Sequence, residues 1–331
     1  EETGMDGAFG LRKGFVTGKR MLNLDTEEEA AIYVSCAGGG DVYSRFPIES
    51  LSRPEGKDWY RIEVKGLAGG HSGLNIDENR ANAIKCLARV LLALEEAEVG
   101  YLMSRIEGGT MRNAIPREAG CGGCVDPANV ELLKKIVANV GSELAEEFKG
   151  TDPDLTVTVE ARPGCRCSDA FTPTFTKKII QALMATPSSV IAMSQAVPGL
   201  VETSNNLGVV RTSENAVEVV NCTRSTVSSA LEALRYSISS VHSLAGADTS
   251  LEPSYPGWQP NMDSALLKKA QEIHTELFGP AKIKAVHAGL ECGLIGQAFP
   301  EMEMISMGPD IFGAHSPTER VSIPSTQKFY T

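Results

Sequence analysis

Met302-Glu303-Met304-Ile305-Ser306-Met307 runs directly into Gly308-Pro309-Asp310-Ile311-Phe312-Gly313-Ala314-His315-Ser316-Pro317-Thr318-Glu319. The first six residues read as a buried strand, and Gly308-Pro309 ends it in a turn. His315 sits in the Gly/Pro-rich loop that follows, and Ser316-Pro317 restricts its backbone. A histidine held by rigid backbone at a strand end is well placed to ligate a metal. Upstream, a helical pattern over 262–278, a strand near 282–287 and a helix from Gly293 precede this strand. The last fifth of the chain therefore reads as alternating helix and strand, an α/β arrangement.

The other end of the chain carries matching chemistry. It begins Glu1-Glu2-Thr3-Gly4-Met5-Asp6-Gly7, with no initiator methionine and no visible leader. Two adjacent carboxylates can divide the work, one binding a metal and the other acting as general base on its water. Met21-Leu22-Asn23-Leu24-Asp25 reads as a strand with Asp25 at its C-terminal end, the usual edge for sites in open α/β sheets. Asp25 reads equally as a helix N-cap or a ligand, and Glu27 to Glu29 as a solvated acidic patch.

At 331 residues, with 42% hydrophobic and 22% charged residues, the chain suits two packed domains. A net charge of −11 argues against nucleic acid and anionic membranes, which attract basic patches. No run of 18 apolar residues occurs, so no transmembrane helix is expected. Eight cysteines in 331 residues read as scattered reduced thiols of a cytoplasmic protein. Cys121, Cys124, Cys165 and Cys167 offer an alternative, a four-thiolate metal site. Against it, the odd spacing of Cys121 and Cys124 along a strand puts them on opposite faces.

From about residue 42 the pattern changes. A strand over Trp59–Val64 leads into Gly66-Leu67-Ala68-Gly69-Gly70-His71-Ser72-Gly73. Helices are expected over 79–98, 127–149, 169–185 and 226–245, with strands near 100–106, through Ala119 and over 155–160. Two further strands near 207–211 and 216–222 form a hairpin around Thr212-Ser213-Glu214-Asn215. Tyr255-Pro256-Gly257-Trp258-Gln259-Pro260 marks a joint back to the α/β part. Trp59 and Trp258 read as packing residues, and His242 and His274 as helix residues. No internal repeat stands out.

Nine segments together carry a family resemblance: EETGMDGAFG (1–10), LNLDTEEE (22–29), CAGG (36–39), KGLAGGHSG (65–73), GGTMRNAIPRE (108–118), VETSNNLGVV (201–210), YPGWQP (255–260), HAGLECGL (287–294) and GPDIFGAHSPTE (308–319). In this order they resemble the co-catalytic zinc exopeptidases of the carnosinase and aminoacylase type. The resemblance implies a zinc-exopeptidase-like catalytic domain, a three-layer α/β/α fold, with an inserted α+β lid and dimerisation domain. It divides the chain into 1–41 and 253–331 (catalytic) and 42–252 (lid). It implies a zinc-dependent dipeptidase acting on Xaa-His and other unblocked dipeptides through a metal-activated water, with cobalt or manganese able to substitute.

The resemblance also assigns residues. Glu1 corresponds to the general base, Glu2, Asp25 and His315 to metal ligands, and Asn113, Arg224 and Ser316 to substrate-binding positions. Arg224 matches the lid arginine that captures the substrate's C-terminal carboxylate, for which a planar guanidinium offers two parallel hydrogen bonds. His71, by itself a turn residue between glycines, matches a histidine that reaches into the partner subunit of a homodimer and stabilises the oxyanion. His287 and Glu291 fall where related peptidases line the substrate pocket. A His-x-Asp motif and a second, metal-bridging Asp belong to the family pattern, and nothing like them precedes Glu1. With three of five ligands present, the alternative expectation is an inactive fragment serving only as a lid-mediated dimerisation module.

Overall fold

A computed structural model describes residues 5–52, 54–163, 169–313 and 318–331. Two sheets organise them. The first has four strands in the order Arg20–Asn23, Glu303–Ser306, Ala31–Cys36, Lys282–Val286. Arg20–Asn23 runs parallel to Glu303–Ser306, and Lys282–Val286 parallel to Ala31–Cys36. The helix Ala265–Phe278 starts where the Ser264 hydroxyl accepts from Leu267 N, and ends at Gly279 with φ 91. Ile32, Val34, Leu267 and Ile305 form one core cluster, and Cys36, Trp258, Cys292 and Met304 another. Helix Glu291–Ala298 completes the expected alternation, and a helix the pattern did not indicate, Ile323–Tyr330, closes the described chain.

The second sheet runs Thr156–Ala161, Asp58–Lys65, Ala119–Val125, Leu102–Gly108, Val201–Thr212, Ala216–Ser225, Gly38–Pro47, Asp248–Leu251, with Ser189–Met193 also pairing with Val201–Thr212. It is two copies of one β-α-β-β-α-β unit. The first copy is Asp58–Lys65, helix Ala83–Glu96, Leu102–Gly108, Ala119–Val125, helix Val130–Glu147 and Thr156–Ala161. The second is Gly38–Pro47, helix Pro173–Ala185, Val201–Thr212, Ala216–Ser225, helix Ser228–Leu244 and Asp248–Leu251. In both, the strands lie in the spatial order fourth, first, third, second. The two second strands meet at the centre, Val210 opposite Gly108 and Arg211 opposite Glu107. The first copy is thus inserted into the second, after its first strand. The sequence shows no such repeat, because the copies share a pattern of pairing rather than residues.

The remaining differences are local. Gly38–Pro47 reads poorly as a strand because it opens with three glycines, yet it pairs with Ala216–Ser225 along its whole length, from Pro47–Ala216 to Gly38–Ser225. Asp169–Phe171 is a short strand against Ser50–Ser52 rather than the start of a helix. The helix begins at Pro173, where Pro suits the first turn and the Thr172 hydroxyl caps Phe175 N. Cys121 and Cys124 are buried on opposite faces: Cys121 lies in the main core, Cys124 with Trp59 and Ala170. They cannot share a metal, and Cys165 and Cys167 lie outside the described residues.

His242 is fully buried between the layers, its Nε2 2.8 Å from Thr186 Oγ1 and its Nδ1 2.6 Å from Ser44 Oγ. Burial pushes its pKa from 6.5 down to about 4. Between those values the unfolded chain binds a proton that the folded chain does not. Stability is therefore expected to fall as pH drops from about 6.5 towards 4, by about 1.4 kcal/mol per pH unit for this one group. Urea unfolding at several pH values, compared between the parent and His242→Asn, measures it. An unchanged slope in the variant would show that His242 does not cause the effect.

Candidate active site

Three neighbouring strands build a polar floor in the second copy. Ser204, Arg224 and Gly39 lie directly opposite one another, and two positions along so do Asn206, Cys222 and Asp41. Because side chains alternate along a strand, all six share one face. The five side chains among them are buried. A buried polar row of this kind is expensive unless its groups find partners.

Arg224 is the centre of the row. Its side chain is 6% exposed, and Nη1 donates to the Tyr255 hydroxyl at 3.3 Å. Its Nε has no partner, and no carboxylate among the described residues pairs with it. Asp41 Oδ1 and Asn206 Oδ1 are also buried without partners. The other Asp41 oxygen takes Arg112 Nη1 at 2.6 Å. A buried guanidinium without an acidic partner is a receptor for an anion.

Two histidines stand beside it. His287 is buried, its Nε2 2.7 Å from Ser204 Oγ. Burial, then the Arg224 charge, holds its pKa down to about 3, against a smaller opposing effect of the Val201 backbone and with a further lowering by His71. His71 is half-buried, and burial followed by the Arg224 charge lowers its pKa as well. Gly73 N and Leu74 N donate to His71 Nδ1 at 3.2 and 3.1 Å. That ring nitrogen is therefore the acceptor, and the proton of the neutral ring sits on Nε2. His71 is thus a neutral N–H donor next to a cation.

The turn carrying His71 is pressed against the His287 segment. A Cβ on Gly73 would fall 2.2 Å from the His287 carbonyl oxygen. Gly70–His71 pairs with Ala114–Ile115, and Ser72 N donates to the Asn113 carbonyl at 2.9 Å. Asn206 Nδ2 in turn donates to the carbonyls of Arg112 and Ala114 at 3.0 and 2.8 Å. His71, Asn113, Arg224 and His287 of one chain are therefore gathered at one place. Within its own chain, the neighbours of His71 are Arg224 and His287. The second copy of the sheet unit brings them to it.

Asp25 lies on the four-stranded sheet, two residues past the strand Arg20–Asn23, and is exposed. The loop it occupies touches the loop that leads to His315. Glu29 N donates to Asp310 Oδ1 at 2.7 Å, Ile311 N to the Glu27 carbonyl at 3.2 Å, and Gly308 leaves no room for a Cβ beside the Thr26 carbonyl. Because Arg20–Asn23 and Glu303–Ser306 are parallel, both loops leave from one sheet edge. Glu1, Glu2, His315 and Ser316 lie outside the described residues. Among the described residues no group of three or more His, Cys, Asp or Glu could hold a metal ion. The donor set of Asp25, Glu2 and His315 suits a hard or borderline divalent cation, with only Asp25 placed. Glu291 opens its helix with one carboxylate oxygen buried and unpartnered.

Sequence reading passed over Ser204, Asn206, Asp41 and Tyr255. The unbroken polar run Thr203-Ser204-Asn205-Asn206 inside a strand was the available signal for two of them.

The sequence profile of the peptidase dimerisation domain matches residues 62–152, within the first copy of the repeated unit. Over 332 aligned residues the sequence is 38% identical to the cytosol non-specific dipeptidase of Escherichia coli (strain K12), covering 100% of this chain and 68% of that protein. The crystal structure of aminoacylhistidine dipeptidase from Vibrio alginolyticus matches with a TM-score of 0.94 at 37% identity, over 100% of this chain and 67% of that one. The chain thus spans about two thirds of each relative's length. The fold is that of the zinc-exopeptidase-like metallopeptidases with a dimerisation domain. Within that class, the chain belongs to the family of the cytosol non-specific, or aminoacylhistidine, dipeptidases.

Proposed function

We propose that this protein hydrolyses unblocked dipeptides, Xaa-His among them, at a site holding two zinc ions, which cobalt or manganese can replace. The observation that carries the reading is the buried Arg224 guanidinium, which no carboxylate among the described residues pairs with. A dipeptide's C-terminal carboxylate supplies the missing partner, and a free terminus is what separates dipeptides from internal peptide bonds. Asn113 and Ser316 line the bound substrate. His71 donates its Nε2 proton to the scissile carbonyl oxygen as negative charge develops there. The Glu1 carboxyl takes a proton from the attacking water and passes it to the leaving amine nitrogen. Glu2, Asp25 and His315 hold the metals, which when bound polarise water and carbonyl as Lewis acids.

In this reading residues 1–41 and 253–331 form the catalytic part and 42–252 the lid. The strand Gly38–Pro47 carries the chain from one to the other. The chain acts in the cytoplasm as a homodimer through the lid. No helix among the described residues is long and apolar enough to cross a membrane. Chelation is expected to abolish hydrolysis of an Xaa-His dipeptide, and added zinc to restore it, with two zinc ions per chain by elemental analysis. Undiminished turnover after complete metal removal would overturn the reading.

A further inference from the structure

We propose that Tyr255 is a positioning residue, holding the Arg224 guanidinium in the orientation that receives the substrate carboxylate. The proposal rests on the carboxylate reading of Arg224 given above. A buried arginine with no acidic partner has little to select one rotamer over another. Among the described residues, the Tyr255 hydroxyl, accepting from Nη1 at 3.3 Å, is the side-chain hydrogen-bond partner of Arg224.

Tyr255 is itself immobilised on both sides. Its backbone makes a reciprocal pair with Gly39, Tyr255 N to the Gly39 carbonyl at 2.9 Å and Gly39 N to the Tyr255 carbonyl at 3.0 Å. The ring lies in a slot lined by two glycines. A Cβ on Gly39 would come within 2.6 Å of the hydroxyl, and one on Gly289 within 3.1 Å of Cε2. Gly39 is also the residue directly opposite Arg224 on the neighbouring strand. A ring laid across Gly39 therefore delivers its hydroxyl to the guanidinium. Any side chain at residue 39 would displace that hydroxyl from where it stands. The slot closes between the first strand of the nine-stranded sheet and the segment before helix Glu291–Ala298, so it ties Arg224 to both parts of the chain.

The test compares a dipeptide with its own C-terminal amide. In Tyr255→Phe the KM for the free dipeptide is expected to rise about tenfold to a hundredfold, the effect of removing a hydrogen bond to a charged group. The kcat should change less than about twofold, and the KM for the amide should not move. Gly39→Ala should shift the free-dipeptide KM in the same direction. Arg224→Ala serves as the reference. If it leaves the preference for the free carboxylate intact, the carboxylate reading itself fails. If it abolishes that preference while Tyr255→Phe retains it, the Tyr255 proposal fails alone. A fall in kcat at constant KM in Tyr255→Phe also overturns a positioning role. Thermal unfolding of each variant reports folding independently, and Tyr255→Phe, which removes one oxygen, decides the matter should Gly39→Ala unfold.

Discussion

Arg224→Ala is expected to lower kcat/KM for an unblocked dipeptide by about 10²-fold to 10³-fold, mostly through KM. The carboxylate would meet a buried polar floor without its cation, and truncating one member of a buried, hydrogen-bonded charge pair costs about 2–5 kcal/mol. Arg224→Lys should recover only part of the loss, because an ammonium cannot make two parallel hydrogen bonds. The C-terminal amide of the same dipeptide should bind the parent and Arg224→Ala with similar affinity. Steady-state kinetics on the pair decides it. An alanine variant that still prefers the free acid would remove Arg224 from the site.

Loss of the His71 donor should act on the other kinetic constant. His71→Ala is expected to reduce kcat by about 10²-fold to 10³-fold with a small change in KM, since the bond to the carbonyl oxygen strengthens as charge develops. Because burial and Arg224 keep the ring neutral, the loss should persist across the pH range above the usual histidine value. A mixing experiment separates the two possible placements of His71. Chains carrying His71→Ala and chains carrying Arg224→Ala are combined, dissociated and reassociated. With His71 acting within its own chain, no activity returns. With His71 acting across a dimer, mixed dimers would contain one intact site and about a quarter of parental activity would reappear.

The two placements differ because of the repeated unit. A peptidase dimerisation profile covers the first copy alone. The second copy supplies Arg224 and Ser204, and through Ser204 it holds His287. Both copies meet along their second strands within one chain, so the histidine turn of the first reaches the arginine strand of the second. A homodimer through residues 42–252, with His71 serving the partner's site, remains the proposal for the assembly.

Much of the local structure was legible from side-chain periodicity. The buried run 302–307 and the hairpin around 212–215 emerge where local pattern places them. Burial of Cys121 and Cys124 on opposite faces also follows from the strand's two-residue period. His71, Asn113, Arg224 and His287 were identifiable as candidates from motifs, and the structure brings these four together. The site's other named members, Glu1, Glu2, His315 and Ser316, have only their motifs to speak for them.

What the sequence by itself determined is therefore the type of the strongly periodic elements and several of the chemistry-bearing residues, because periodicity, capping and glycine placement act over a few neighbouring residues. Tertiary structure alone decided three matters. It made a strand of the glycine-led segment 38–47, whose pairing partners lie beyond residue 215. It revealed the duplicated unit, because equivalent elements share register and order rather than side chains. It also set the state of the site: the Nε2 tautomer of His71, an Arg224 that no carboxylate among the described residues pairs with, and the tyrosine that meets it. Charge, protonation and hydrogen bonding depend on what lies across a few ångströms of space, and here those neighbours stand far apart along the chain.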